Sequence, residues 1–262
     1  MFIPDKYMDY RMWSGIPDRV QGRAEVVYFD QHEQMQWTDT NSGFLDAVRR
    51  IYGDRTFDIV TAAGEAARFA FAVAEGGLAK GVVFLYPSPD RMLGELSDVD
   101  LMEALTPYLP FSPAILAAVQ EGDAGQLRDA LVHVVREATG PDAEARGLQL
   151  VADMYTDHAG EFLSDLQAIQ LQAIQAEAVA DPPPSIPPWL ERPWIDRVAT
   201  LTIPVTAVVN SRQVAIGEAI SRSARQAEVV VAGPRLVSTA IPDPDQLATV
   251  LLRMLDRLDQ CP

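Results

Sequence analysis

The stretch Phe57–Ala74, FDIVTAAGEAARFAFAVA, has the residue types of a catalytic turn between a strand and a helix. The apolar run Ile59–Thr61 precedes a cluster of very small residues, which a chain needs where it reverses directly from strand to helix. Enzymes built on this turn carry serine, cysteine or aspartate at its tip. Here the tip is Ala63 or Gly64, so the sequence predicts the turn without a hydroxyl or thiol nucleophile.

Four residues near this predicted turn are candidates for acid–base catalysis: Glu65, Asp5, His32 and Tyr86. Glu65 begins the predicted helix, where the helix dipole favours a carboxylate. In a dry pocket it would act as general acid or base, and in solvent it would only cap the helix. Tyr86, at a strand end, either donates a proton or orients a carbonyl, or is a core residue with its hydroxyl satisfied.

A second group of residues is predicted to bind substrate: Ala63, Gly64, Tyr155, His158, Trp189, Trp194, Arg212 and Arg235. The two arginines would bind a carboxylate or enolate, or would pair with the chain's many acidic residues. The tryptophans flank a proline-rich segment and would either wall an apolar ligand or pack the middle of the chain onto the rest of the protein. His158 would contact ligand or stabilise a helix end.

These residues need a scaffold, and the apolar runs of the chain predict a parallel sheet covered on both faces. The runs are AEVVYFD, FDIVTA, GVVFLYP, IPVTAVVN and AEVVVAG, and the first three alternate with helical patterns. The helix in FLDAVRRIYG is predicted to stop at Gly53. The fold class is therefore α/β, with a doubly wound, mostly parallel sheet.

The middle of the chain is predicted to be entirely helical from Ser97 to about Val179. The segment DPPPSIPPWLERPW after it is incompatible with helix or central strand and predicts a stiff linker. We expect a core formed by residues 1–92 and 195–262, interrupted by an all-helical lid domain at 93–194.

Composition narrows the classes of function. The 262 residues carry a formal charge of −16, which excludes nucleic acid and anionic membrane surfaces as partners. No segment has about 18 consecutive apolar residues, and the amino terminus lacks the pattern of a signal peptide. The single cysteine, Cys261, and three scattered histidines predict no disulfide, no metal and no cofactor. We expect a cytoplasmic protein that binds an apolar small molecule, and a homodimer stays open.

Several of these stretches together resemble the α/β-hydrolase family over nearly the whole chain: MFIPDKYMDYRMWSGIP, AEVVYFDQ, IVTAAGEAARFAFAVA, LTIPVTAVVN and AEVVVAG with IPDPDQLATVLLRML. The resemblance implies a lid at the insertion and a pocket above the strand ends. It also implies two further strands before Met1, so the fold is shortened or begins upstream. Where the family has its nucleophile elbow, acid, histidine and HG motif, this chain has AAGEA, NSRQ, AGPRLVSTAIPDP and Ile3-Pro4-Asp5. A Ser-His-Asp hydrolase is therefore not expected.

Three functions remain open. The first is a cofactor-independent cyclase, isomerase or lyase, of the kind used in specialised metabolism, acting on an apolar substrate by shape and acid–base groups. The second is a non-catalytic pseudo-hydrolase that binds a ligand or partner. The third is a hydrolase in which a carboxylate such as Glu65 or Asp5 activates water.

Overall fold

A parallel five-stranded sheet forms the centre of the computed structural model, which describes residues 1–5, 8–29, 41–87, 113–139, 150, 153–154, 157–158, 197–209, 214–232 and 243–260. Its strands lie in the order of the chain, and every neighbouring pair is parallel. They are β1 (Phe2–Ile3), β2 (Phe57–Ala63), β3 (Ala79–Leu85), β4 (Val205–Val209) and β5 (Ala227–Val231).

Helices cover both faces of this sheet. The described α-helices are α1 (Ile16–Val20), α2 (Asn41–Tyr52), α3 (Ala67–Glu75), α4 (Pro113–Glu121), α5 (Ala124–Thr139), α6 (Val214–Ser223) and α7 (Pro244–Gln260). One apolar cluster joins α2, α3 and α6 to one face of the sheet, and another joins α1 and α7 to the opposite face. The predicted doubly wound parallel sheet is confirmed.

The helix after the small-residue turn is buried on nearly all sides. In α3, Phe69 and Phe71 are fully buried, and Phe69 stacks on Phe44 of α2 with ring centroids 4.3 Å apart. A helix that is apolar all round must lie inside the molecule. This packing holds the turn between β2 and α3 in the centre of the fold.

Helix ends agree with the sequence pattern. Gly53 follows α2 with φ +67°, the left-handed conformation typical of a residue after a helix C-terminus. Asp243 precedes α7, and its Oδ1 accepts hydrogen bonds from the backbone N–H groups of Asp245 (2.9 Å) and Gln246 (3.2 Å). These caps fix where the loops at the sheet edges begin.

The predicted strand at AEVVYFD is reduced to one parallel bridge between Tyr28 and Phe2. Because β1 has only two residues, it offers few positions for a neighbouring strand to pair with. Tyr28 and β2 lie on opposite sides of β1. The chain therefore changes direction across the sheet here, and the crevice between the carboxyl ends of β1 and β2 is the place where open α/β sheets bind ligands.

The described part of the insertion is helical, as predicted. Pro113 opens α4, and Gly122 (φ +68°) with Asp123 forms the short connection to α5. The boundaries predicted for the insertion and its linker lie mostly outside the described residues and remain predictions. Among the described helices, none combines the length and the apolar character needed to cross a membrane.

Candidate functional site

The ends of β1 and β2 bring the first two candidate residues to one edge of the sheet. Ile3 pairs with Ala62 in the parallel register. Asp5 lies two residues beyond Ile3, and Gly64 lies two residues beyond Ala62, so both stand at the same level above the sheet. The predicted elbow and the loop after β1 therefore meet at the crevice where the chain changes direction.

Gly64 is the residue at the tip of the turn. Its φ is +54°, whereas Ala63 is still extended at φ −109° and ψ 151°. An L-residue with a side chain is strained at a φ of this sign, and glycine is not. Of the two tip positions that the sequence left open, the structure has Gly64 at the tip. Ala63 is the buried last residue of β2.

The carboxylate of Asp5 lies over Gly64, in the space that a side chain at the tip would take. A Cβ built on Gly64 would be 2.1 Å from Asp5 Oδ2 and 2.3 Å from Oδ1 and Cγ. The backbone N–H of Glu65 donates a hydrogen bond of 2.9 Å to Asp5 Oδ1. The tip has no side chain of its own, and a carboxyl group from the loop after β1 fills its place.

Glu65 contributes its backbone to this contact, while its side chain is exposed. A short 3₁₀ segment, Gly64–Ala66, leads into α3, and the N–H group at this helix entry points at the carboxylate. Anions are stabilised at such positions by the unpaired N–H groups and by the helix dipole. The predicted acid–base role of the Glu65 side chain stays a prediction.

Tyr86 lies one residue beyond the carboxyl end of β3, at the same edge. Leu85 pairs with Ala63, so Tyr86 is level with Gly64 on the neighbouring strand. Its side chain is buried, its backbone has φ +47°, and its hydroxyl has no hydrogen-bond partner among the described residues. Burial, and then the negative charge of Asp243, raise the pKa of Tyr86, so the phenol remains a protonated donor.

Beyond the carboxyl end of β1, a charged cluster joins the core to the insertion. Arg11 Nη2 donates to Asp9 Oδ2 and to Asp157 Oδ2, both at 2.5 Å, and His158 Nε2 lies 4.0 Å from Asp9 Oδ2. Burial alone would raise the pKa of Asp9, but hydrogen bonds from Arg11 and the charges on Arg11 and His158 outweigh it, so the pKa is lowered. His158 therefore sits beside Asp9; its predicted contact with substrate stays a prediction.

The other predicted site residues lie outside the described residues: His32, Tyr155, Trp189, Trp194, Arg212 and Arg235. Within the described ranges, no three His, Cys, Asp or Glu side chains are grouped so that they could hold a metal ion.

A groove of about 240 Å³ lies at the opposite, amino-terminal edge of the sheet. Its walls include Val20, Phe57, Thr61 and Leu251, with Arg55 among the charged residues that line it. The hydroxyl of Thr61 has no hydrogen-bond partner in the described part of the chain. Sequence reasoning did not find this groove, because it depends on how α7 packs beside the start of β2.

Comparisons with known proteins identify the fold. No family model matches the chain, and no curated protein matches it. The esterase RhEst1 from Rhodococcus sp. ECU1013 aligns with a TM-score of 0.65 and 11% identity, over 97% of this chain and 89% of that one. Cfl2 from Burkholderia cenocepacia aligns with a TM-score of 0.63 and 14% identity, over 97% and 87%. The enol-lactonase from Burkholderia xenovorans LB400 aligns with a TM-score of 0.62 and 12% identity, over 97% and 90%. At these identities the similarity concerns the fold, which is α/β-hydrolase-like.

Proposed function

We propose that this protein is a non-hydrolytic small-molecule enzyme of the isomerase, cyclase or lyase type, in which the Asp5 carboxylate transfers protons at the turn that carries the nucleophile in α/β hydrolases. Asp5 occupies the position of the nucleophile but acts as an acid–base group and not as a nucleophile. With no hydroxyl or thiol at Gly64, the Ser-His-Asp mechanism is lost.

The contact of Asp5 with the Gly64–Glu65 turn carries this proposal. The N–H of Glu65 holds Oδ1 at 2.9 Å, which fixes the orientation of the carboxyl group. Oδ2 is the oxygen nearest to the position that a side chain on Gly64 would occupy. An oriented carboxylate at this point is suited to take a proton from a bound substrate and to return it elsewhere.

The same contact favours proton transfer over hydrolysis by activated water. In the elbow of α/β hydrolases, the N–H after the nucleophile stabilises the oxyanion of the reaction. In this chain that N–H, on Glu65, already donates to the Asp5 carboxylate. A second negative charge at the same donor would be repelled, so the site lacks the stabilisation that ester or amide hydrolysis requires.

The surroundings favour a largely apolar substrate. The loop and 3₁₀ segment after Asp5 contribute Met8, Met12 and Trp13, which are buried together with Met154 from the insertion. These side chains offer apolar area and few polar partners. A neutral molecule with one or two oxygen atoms fits such walls better than a phosphate or a sugar does.

Isotope labelling tests the class of reaction even though the substrate is unidentified. A small-molecule extract of the source organism is incubated with the protein in D₂O and, separately, in H₂¹⁸O, and is then compared by mass spectrometry with untreated extract. Proton transfer to carbon places deuterium in a substrate or product, whereas hydrolysis places ¹⁸O there. The variants are Asp5→Asn and, as a matched control at the amino edge, Asp58→Asn, whose exposed carboxylate pairs with Lys80.

We expect deuterium labelling by the wild type and by Asp58→Asn, reduced by about 10²-fold or more in Asp5→Asn. Labelling by ¹⁸O that depends on Asp5 would replace the proposal with water-activated hydrolysis. A compound that co-purifies with the protein but gains neither label would indicate a binding protein without catalysis.

A further inference from the structure

The backbone at Tyr86 turns its side chain to the unexpected face of the sheet. Along β3, Val82 and Phe84 pack on the α2/α3/α6 face, and Val83 and Leu85 pack on the α1/α7 face. Strict alternation predicts Tyr86 on the first face. Tyr86 instead belongs to the α1/α7 cluster, because its φ of +47° breaks the alternation.

This arrangement is unfavourable to the folded protein in two separate ways. Tyr86 is the one non-glycine residue with positive φ among the described residues, and an aromatic side chain is strained there. Its hydroxyl is also buried with no partner in the described part of the chain, although a buried tyrosine hydroxyl usually finds one. Phenylalanine would avoid the second cost and glycine the first, and the chain uses neither.

We propose that Tyr86 donates its hydroxyl hydrogen bond to a neutral carbonyl oxygen of the substrate, which makes apolar ketones, enones and lactones the substrate class. The inference rests on the proposed function, and it adds the group that would contact the oxygen. Burial keeps the phenol protonated, so it offers a donor throughout the physiological pH range.

The charges around Tyr86 argue for a neutral acceptor. Asp243 is close enough to act on the Tyr86 phenol, and Asp5 lies at the same edge of the sheet. The Asp243 carboxylate near the donor would repel a carboxylate or phosphate ligand, whereas a carbonyl oxygen carries only a partial charge.

The two groups together complete a proton-transfer step. Asp5 takes a proton from the carbon next to the carbonyl, and the electron pair of that C–H bond forms a carbon–carbon double bond. The carbonyl π electrons move to oxygen, where the Tyr86 O–H stabilises the enolate. Return of the proton to the same or a conjugated carbon regenerates both side chains, so no oxidant or reductant is needed. Asp5 follows β1 and Tyr86 follows β3, and these two strands flank β2 with axes about 10 Å apart, so both side chains start from the same edge of the sheet.

A pair of probes with the same skeleton tests the donor. The ketone 2-tetralone and the hydrocarbon tetralin differ in the carbonyl, and their binding is compared by NMR titration. The proteins are the wild type, Tyr86→Phe and Thr61→Val. Thr61→Val also deletes a buried hydroxyl that lacks a partner within the described ranges, but Thr61 lines the groove at the opposite edge.

Wild type and Thr61→Val should bind the ketone about fivefold more tightly than the hydrocarbon, as expected for one net hydrogen bond. Tyr86→Phe should bind both equally while remaining folded. Equal binding of the two probes by wild type, or binding of neither, overturns the inference. A preference abolished by Thr61→Val and kept by Tyr86→Phe overturns it as well, because it would place the ketone in the amino-edge groove. Asp5→Asn should keep the preference, so failure of the labelling experiment and failure of this one are distinguishable.

Discussion

The two edges of the central sheet are built differently. At the amino edge, strands begin in regular geometry and carry surface ion pairs, such as Lys80 with Asp58 (2.7 Å). At the carboxyl edge, Gly64 and Tyr86 both have positive φ, a carboxylate lies over the turn, and a buried hydroxyl lacks a partner among the described residues. The amino edge also has glycines at positive φ, Gly53 and Gly77, and its groove holds the Thr61 hydroxyl, which has no partner among the described residues. The strained Tyr86 backbone and the carboxylate over the turn are what set the carboxyl edge apart.

This difference indicates that the functional site lies at the carboxyl edge of the sheet. Strained backbone and unsatisfied polar groups persist only where the surrounding structure enforces them, and they concentrate at functional sites. The strained backbone of Tyr86 and the carboxylate of Asp5 lie near the crevice between β1 and β2, where topology alone already predicts ligand binding. Two independent lines of physical reasoning thus point to one edge.

The largest effect is expected from Gly64→Ala. The new Cβ would collide with the Asp5 carboxylate, and the residue would be held at positive φ, so unfolding should become easier by about 2–4 kcal/mol. Urea denaturation measures this change.

Gly53→Ala is the matched control for Gly64→Ala. Gly53 also has positive φ (+67°), but nothing lies within 4 Å of its added Cβ. It should lose about 1 kcal/mol, the backbone cost alone. Equal losses in the two variants would show that the Asp5 contact contributes nothing.

A smaller loss is expected from Arg11→Met, which leaves the buried Asp9 carboxylate without the guanidinium that neutralises it. Removing one member of such a pair should cost about 2 kcal/mol. Lys80→Met removes an ion pair that is exposed at the amino edge, and its effect should be much smaller. Similar losses, measured by urea denaturation, would contradict the contrast between the edges.

The ion pair between Asp9 and Arg11 also predicts that the stability of the fold depends on pH. Because the folded-state pKa of Asp9 is lowered, its contribution to stability is complete above the ordinary aspartate pKa and is lost as pH falls through the lowered value. Denaturation midpoints measured across the acid range should fall less steeply with decreasing pH in Arg11→Met than in wild type. Parallel curves would show that Asp9 is not held in its charged form by Arg11.

The smallest effect is a gain. Tyr86→Phe removes a buried hydroxyl that no described residue pairs with, so it should stabilise the fold by about 1 kcal/mol, and Thr61→Val should behave similarly. Thermal melting of both variants checks this. A clear loss in Tyr86→Phe would mean that the hydroxyl already serves the fold, and the reason to assign it to a substrate would disappear.

The local pattern of apolar and polar residues in the sequence predicted the fold well, but it predicted the candidate site only in part. The apolar runs of β2, β3, β4 and β5 and the stop of α2 at Gly53 followed from neighbouring residues. The strand expected near Tyr28 depended on how long β1 is, which local pattern does not reveal.

The Asp5–Gly64 contact depends on a parallel register between segments about sixty residues apart, so both residues could be named but their meeting could not. Tyr86 was identified as a strand-end tyrosine, but its reversed face arises from one backbone angle that the sequence pattern contradicts.

The hydrogen bond between Glu65 N–H and Asp5 is the premise of the whole account, and the amide resonance of Glu65 measures it directly. In wild type this amide proton should shift as the Asp5 carboxyl titrates, and the shift should disappear in Asp5→Asn but persist in Asp58→Asn. A Glu65 amide that is unaffected by Asp5→Asn would contradict the claim that the carboxylate after β1 has taken the place of the nucleophile.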